Sequence, residues 1–417
     1  MGKTEFSSAV KFKTTFDLTF NISNPKNITT TSVKFDVAIA SNVAITEKGI
    51  CYSYQTFLPT IEDDVKVSYG SGAGNFNVTL TGLQEYTYYC TRPYVIIDGK
   101  TYYGEVKDFF TGEQYIPTGK YMTMETEATS IYEIKLESAG DGLINWGDGT
   151  FDIFSSGNNQ IFTHNYAGSS SHLITISGEN ITHLACGWNE LTSLDVSNNP
   201  ILTSLQCKVN QLISLDVSNN TVLTYLDCAY NQLMNLDVSN NTTLTYLDCS
   251  NNQLTNLDVN NNTALTDLDC SHNSLTSLDV SNNTLLTSLI CDGSLLTNLD
   301  VSNNTALTSL SCDGGSLTSL DVNNNTALTY LNCRRNSLTS LDVSNNTALA
   351  GLDCSYNQLI ATSLDALFGT LHSNDIGTEK KIAIYGNPGE NTCNQSIATN
   401  KGWTILPNPG TEWACPP

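Results

Sequence analysis

A mainly β chain, a solenoid of parallel strands preceded by two smaller β modules, is the fold class the sequence predicts, and three observations carry the prediction. Cysteine recurs at an unbroken interval of 21 residues, at Cys186, Cys207, Cys228, Cys249, Cys270, Cys291, Cys312, Cys333 and Cys354. Each interval reads like Leu244-Thr-Tyr-Leu247-Asp-Cys249-Ser-Asn-Asn252-Gln-Leu254-Thr-Asn-Leu257-Asp-Val259. Every apolar position therefore stacks on its equivalent in the next coil, and no coil buries its apolar face alone. Ahead of the repeats, short runs alternate apolar and polar residues between turn signals, the pattern of half-buried strands.

In chain order, residues 1–113 come first. Phe16-Asp-Leu18-Thr-Phe20-Asn-Ile22 and Val33-Lys-Phe35-Asp-Val37-Ala-Ile39 alternate as the strands of an all-β sandwich do. The segment Leu80-Thr-Gly-Leu83-Gln-Glu-Tyr-Thr87-Tyr-Tyr89-Cys-Thr-Arg92-Pro-Tyr94 resembles the end of a fibronectin type III-like domain, of the immunoglobulin-like β-sandwich class. That resemblance makes Tyr89 a tyrosine-corner residue. Gly49-Ile-Cys51-Tyr-Ser and Tyr103-Gly-Glu-Val-Lys-Asp-Phe109 fit the variant found in bacterial surface proteins, where such modules are spacers.

Residues 114–178 begin with a short linker, Gln114–Lys120, and carry Asn145-Trp146-Gly147-Asp148-Gly149 and His164-Asn165-Tyr166. These elements resemble a PKD-type domain, a second immunoglobulin-like unit. Their physical content is a tight turn with glycines at positive φ beside a packed aromatic, and Asp148 reads as a turn acceptor, not a metal ligand or catalytic acid. The unit is also placed to cap the first coil.

Residues 179–362 hold the repeats. The spacing Leu-x-x-Leu-x-Cys-x-x-Asn-x-Leu resembles the leucine-rich repeat, with Cys in the place of the third Leu. The resemblance implies a short parallel strand on a concave side, followed by an inward-turned Asn, here Asn189, Asn210, Asn231, Asn252, Asn273, Asn336 and Asn357. Ser294 and Gly315 replace it in two coils, each after an Asp-Gly pair, so a looser or differently bonded turn is expected there. Leu257-Asp-Val259-Asn-Asn-Asn262 repeats the spacing of Leu247-Asp-Cys249-Ser-Asn-Asn252, which makes the coil nearly two half-coils. Halves of roughly ten residues leave no room for a full helix with its turns, so a flattened solenoid with extended structure on its convex side is expected. At about 4.8 Å per coil the nine-coil array is roughly 40 Å long.

Residues 363–417 form the C-terminal cap, with a short helix over Leu364–Leu371 followed by Ile382-Ala-Ile384-Tyr-Gly-Asn-Pro-Gly. Cysteines on in-register strands have Cβ atoms about 4.8 Å apart, beyond the usual reach of a disulfide, so the ladder is expected to hold buried free thiols. Cys393 and Cys415 stand in a Gly/Pro/Asn-rich segment, where a disulfide between them and two separate thiols are both open. Cys51 and Cys90 are each at least as well explained as isolated core cysteines.

Lys and Arg total 18 against 41 Asp and Glu, a net charge of −23 over 417 residues. Such a surface is repelled by nucleic acid and by anionic membranes. No apolar run is long enough to span a bilayer, and Met1-Gly2-Lys3-Thr4-Glu5-Phe6 has no signal-peptide core. The order of modules resembles Bacteroidetes-type cell-surface proteins. That resemblance implies an extracellular or outer-surface location, with a signal or anchor segment removed.

No His-Glu-x-x-His, Gly-x-Ser-x-Gly, Walker or Rossmann pattern occurs, so no catalytic, cofactor or metal site is expected. Asp195, Asp216, Asp237, Asp258, Asp279, Asp300, Asp321 and Asp342 repeat as a solvated ridge, whose repulsion is offset by neighbouring hydroxyls and amides or by bound cations. Outward positions of the concave strand vary instead. Tyr225, Tyr246 and Tyr330 precede the second Leu; Asp227, Asp248, Asp269 and Asp353 precede Cys; Trp188, Lys208, Tyr230, His272, Arg334, Arg335 and Tyr356 follow it. Varied aromatics and charges on an invariant framework point to a non-catalytic binding or adhesion protein. Its candidate anchors are Trp188, Tyr225, Tyr230, Tyr246, Tyr330, Arg334, Arg335 and Tyr356, and its expected partner is a protein. The alternative is a glycan-binding component of a surface polysaccharide-uptake system.

Overall fold

The computed structural model describes residues 10–11, 17–54, 56, 58–84, 87–111, 121–148, 150–168, 170–178 and 180–407. The expected linker at 114–120 and Cys415 lie outside them. The chain divides into two compact units, Met1–Thr118 and Gly119–Pro417.

In the first unit one sheet orders Val10–Lys11, Leu18–Ile22, Ser32–Ser41 and Gly74–Thr81. The other orders Val65–Ser68, Glu47–Ser53, Tyr88–Ile97 and Lys100–Tyr103, and Lys107–Phe110 also pairs with Tyr88–Ile97. Alternation decides which side chains go inward: Leu18, Phe20, Ile22, Val33, Phe35 and Val37 meet Ile50, Tyr89, Val95 and Phe109 in one core. The Tyr89 hydroxyl accepts the Gln84 N–H at 2.9 Å, and its ring stacks on Phe109 with centroids 5.4 Å apart. Cys51 stands opposite Arg92, and Cys90 opposite Ser53. The Cys51 thiol is free and faces the Pro59 carbonyl at 3.3 Å.

The second unit is dominated by a 13-stranded sheet among the described residues. Ile181–Ala185 opens a parallel ladder that runs through Ser204–Gln206, Tyr225–Asp227, Tyr246–Asp248, Asp267–Asp269, Ser288–Ile290, Ser309–Ser311, Tyr330–Asn332 and Gly351–Asp353. Register is strict: Leu226, Leu247 and Leu268 pair in turn, as do Tyr225 with Tyr246 and Asp227 with Asp248. Leu244, Leu247, Cys249, Leu254, Leu257 and Val259 of one coil are all buried, and their equivalents repeat this in the others. The returning half of the coil is extended with turns and carries no helix between 186 and 360, as the half-coil spacing requires.

Both halves of the first coil are covered by the preceding β unit. Ser130–Ser138 pairs antiparallel with Ile181–Ala185, and Tyr121–Thr126 pairs antiparallel with Leu191–Asp195. Met122, Met124, Ile134, Trp146 and Ile174 belong to the same apolar core as the coils, so these strands close the array's open end. Gly147 adopts φ 81°, and Asp148 accepts the Thr150 N–H at 3.0 Å while its other oxygen meets His164 Nε2 at 2.8 Å. At the far end the helix Ala361–Thr370 seals the core with Leu364, Leu367 and Phe368. Two further strands, Lys380–Ala383 and Trp403–Leu406, then continue the parallel ladder, so the solenoid has about 11 coils.

Asparagine bonds join the coils at both corners. Asn252 donates Nδ2 to the Cys228 carbonyl at 3.0 Å and the Cys249 carbonyl at 3.1 Å, and its Oδ1 accepts the Leu233 N–H at 2.9 Å. At the second corner Asn262 donates to the Val238 and Asn241 carbonyls, both at 2.9 Å. The ladder cysteines are free and buried. Cys291 Sγ, for one, faces the Ser311 carbonyl of the next coil at 3.4 Å.

Candidate functional site

The outward positions of the parallel strands form the face on which the varied residues converge. Tyr225 and Tyr246, in register on adjacent coils, stack with centroids 4.3 Å apart and planes 3° from parallel. Both are half-buried, as are Tyr330 and Arg334. Tyr225, Tyr246 and Arg334, read from the sequence as outward-pointing, are partly covered by neighbours one coil apart. Arg334 and Arg335 lie 5.1 and 5.8 Å from the Tyr356 ring centroid, so the C-terminal candidates form one cluster.

The residue before each Asn at the corner that follows the strand adopts a left-handed conformation. Trp188 has φ 65°, Tyr230 53°, His272 52°, Arg335 51° and Tyr356 53°. This turn throws the side chain away from the core, leaving Trp188 62% and Tyr230 57% exposed. It also accounts for the two Asp-Gly pairs, because Gly293 and Gly314 occupy the same position at φ 61° and 72°, where glycine carries no steric penalty. In the coil where Ser294 stands in place of the corner Asn, Asp292 makes a different link to the next coil: its Oδ1 accepts the Ser311 hydroxyl at 2.6 Å and the Asp313 N–H at 2.7 Å.

Two rows of carboxylates lie in opposed environments. On the ridge, Asp216, Asp237, Asp279 and Asp300 each accept the N–H two residues on, at 2.9 Å. The neighbouring serine hydroxyls, and after them these backbone bonds, hold these carboxyls below their ordinary range. On the strand face burial is the largest influence and acts the other way. Asp248 is pushed up to about 6 by burial, with Asp269 and Asp227 adding repulsion. Asp269, Asp292 and Asp313 are raised for the same first cause. Asp227 is fully buried against Lys208 Nζ at 2.9 Å.

Sequence reasoning named Asp227, Asp248, Asp269 and Asp353 but missed Asp267, Asp292 and Asp313. Asp267 takes the place of a Tyr, and the other two stand one position after Cys, so only the coil-to-coil register brings them into the row. The Asp-Gly pairs were the available signal. Among the described residues no group of three or more His, Cys, Asp or Glu side chains is arranged to hold a metal ion. Among them too, no helix is long and apolar enough to cross a membrane.

No protein-family model matches the chain, and no curated protein matches it. Among solved structures it is similar to the functional domain of InlJ from Listeria monocytogenes, which includes a cysteine ladder, at 40% identity over 54% of this chain and 48% of that one, with a TM-score of 0.48. It is similar to the leucine-rich repeat domain of APL1B at 22% identity over 49% of this chain and 62% of that one (TM-score 0.38). It is also similar to YopM, a leucine-rich effector protein from Yersinia pestis, at 23% identity over 45% of this chain and 56% of that one (TM-score 0.36). In each case the chain covers less than two thirds of the solved chain's length.

Proposed function

We propose that the chain is a non-catalytic binding or adhesion protein of the extracellular or cell-surface kind, which holds a protein ligand on the concave face of its solenoid. The single observation that carries this reading is the contrast within one coil. Leu, Cys, Val and corner Asn positions repeat, while the outward strand positions and the turns that follow them present Tyr, Asp, Trp and Arg in varied order along a rigid sheet. Trp188, Tyr225, Tyr230, Tyr246, Tyr330, Arg334, Arg335 and Tyr356 are the proposed anchors. The stacked Tyr225–Tyr246 pair and the Arg–Tyr356 cluster are already ordered by their neighbours, so little side-chain freedom is lost on binding. We read the first unit as the fibronectin type III-like spacer and residues 121–178 as a PKD-like unit that doubles as the N-terminal cap.

The experiment is a parallel screen of the full chain against a displayed library of cell-surface proteins and a glycan array. Protein hits are then measured against Tyr225→Ala/Tyr246→Ala and Arg334→Ser/Arg335→Ser. The expected result is capture of a protein, with losses of about 1–3 kcal/mol per true anchor. Glycan hits alone, or protein hits indifferent to both variants, contradict it.

A further inference from the structure

Charge on the strand face narrows the partner. We propose that the concave sheet docks an extended polypeptide segment bearing lysine and arginine, an inference that rests on the concave face being the binding surface. Asp248, Asp267, Asp269 and Asp292 occupy outward positions on, or just after, three successive strands, and each is partly exposed. None of the four has an ion pair among the described residues. The chain's own cations close the row only at its ends, Lys208 on Asp227 at 2.9 Å and Arg335 near Asp313 at 3.8 Å.

Three features of the face favour a cation-bearing chain over other occupants. The carboxylates are half-buried, so an arriving cation meets them in a medium less screening than water. The stacked Tyr225–Tyr246 pair adjoins Asp227 and Asp248 in the same register, which places an aromatic surface beside carboxylates where an ammonium or guanidinium gains from both. The row advances along the array at about 4.8 Å per coil, so a segment lying along the axis meets successive carboxylates. An acidic segment is repelled, and a neutral glycan, whose hydroxyls can donate to the carboxylates, gains no ion pairing from the row.

The array supplies its own control, because the ridge carries the same residue type at the same spacing on the other half of each coil. The probe is a labelled decapeptide of alternating lysine and serine, with a glutamate–serine peptide beside it, measured by fluorescence anisotropy on the full chain. Asp248→Asn/Asp269→Asn and Asp258→Asn/Asp279→Asn each remove two charges, and thermal melts check that both variants fold. The lysine peptide is expected to bind the wild type, to weaken about tenfold or more on the strand-face variant, and to change less than about twofold on the ridge variant. Equal losses on the two variants, or no binding of the lysine peptide, overturn the proposal. Failure of the two readings is separable with a protein ligand from the screen. A ligand sensitive to Tyr225→Ala/Tyr246→Ala but not to Asp248→Asn/Asp269→Asn keeps the concave face and overturns its cationic partner. One indifferent to both pairs overturns the two together.

Discussion

At Asp248 the carboxyl sits one coil from Asp227 and one coil from Asp269, half-buried, with its protonation midpoint lifted to about 6. A carboxyl raised on folding binds more protons folded than unfolded, so the stability it contributes is present below its unfolded value and is lost as pH rises through the folded one. Asp248→Asn keeps an oxygen for the Ser250 N–H, bonded at 3.0 Å in the wild type, and removes the charge. Its melting temperature is therefore expected to exceed the wild type's near pH 7.5, with the difference shrinking as pH is lowered toward about 4. A constant difference across that range contradicts the burial argument. The thiols are a second test at this scale. Burial pushes Cys186 up to about 12 and raises the inner ladder cysteines well above their ordinary value, so almost no thiolate exists near neutral pH. A thiol reagent is expected to modify the nine ladder cysteines slowly in native protein and completely after denaturation. Disulfides between adjacent ladder positions, seen by mass spectrometry of undamaged protein, would contradict the geometry.

The corner asparagines are the elements that join one coil to the next. Asn252→Ala leaves the Leu233 N–H and the Cys228 and Cys249 carbonyls without their partner, and is expected to lower stability by about 2–4 kcal/mol in urea unfolding. Ser294→Asn places an amide where the ladder lacks one, and a gain of about 1 kcal/mol is expected. Gly293→Ala is expected to lose about 1 kcal/mol, because φ is 61° and the added Cβ would lie 2.6 Å from His272 Nδ1. A neutral Asn252→Ala would show that stacking of the apolar columns alone holds the coils. Much at this scale was legible in the sequence. The interval between cysteines, the Leu columns and the Asn at the corner after the strand follow from period and residue type, as does the extended convex half; the bonding role of the second-corner asparagines such as Asn262 was not read. The left-handed residue before each Asn was not legible, since Trp188, Tyr230, His272 and Arg335 share no side-chain property that marks the conformation. The strands Lys380–Ala383 and Trp403–Leu406 were hidden because the inserted helix Ala361–Thr370 lengthens its coil, even though Ile382 still lands opposite Leu352.

Across the whole molecule a net charge of −23 is held by a chain whose ridge carboxylates each engage a backbone N–H of their own turn. Because those bonds offset the repulsion, a chelator is expected to leave the melting temperature nearly unchanged, whereas added salt is expected to raise it by screening. A large drop with chelator would instead establish structural cations on the ridge. The ridge also titrates in the opposite sense to the strand face, since lowered carboxyls such as Asp216 and Asp300 lose their stabilising charge as pH falls through their folded midpoints. The repeating columns form the buried core, which was readable from the period, and the varied outward positions are the proposed recognition surface. The face's acidity was less so, because the row of Asp248, Asp267, Asp269 and Asp292 forms only when coils are laid in register. The most direct test is a paired measurement of affinity and melting temperature on Tyr225→Ala/Tyr246→Ala, using a protein captured in the surface screen. Binding is expected to weaken by about 1–3 kcal/mol per anchor while melting changes little. Unchanged affinity with folding intact would place recognition somewhere other than the concave face.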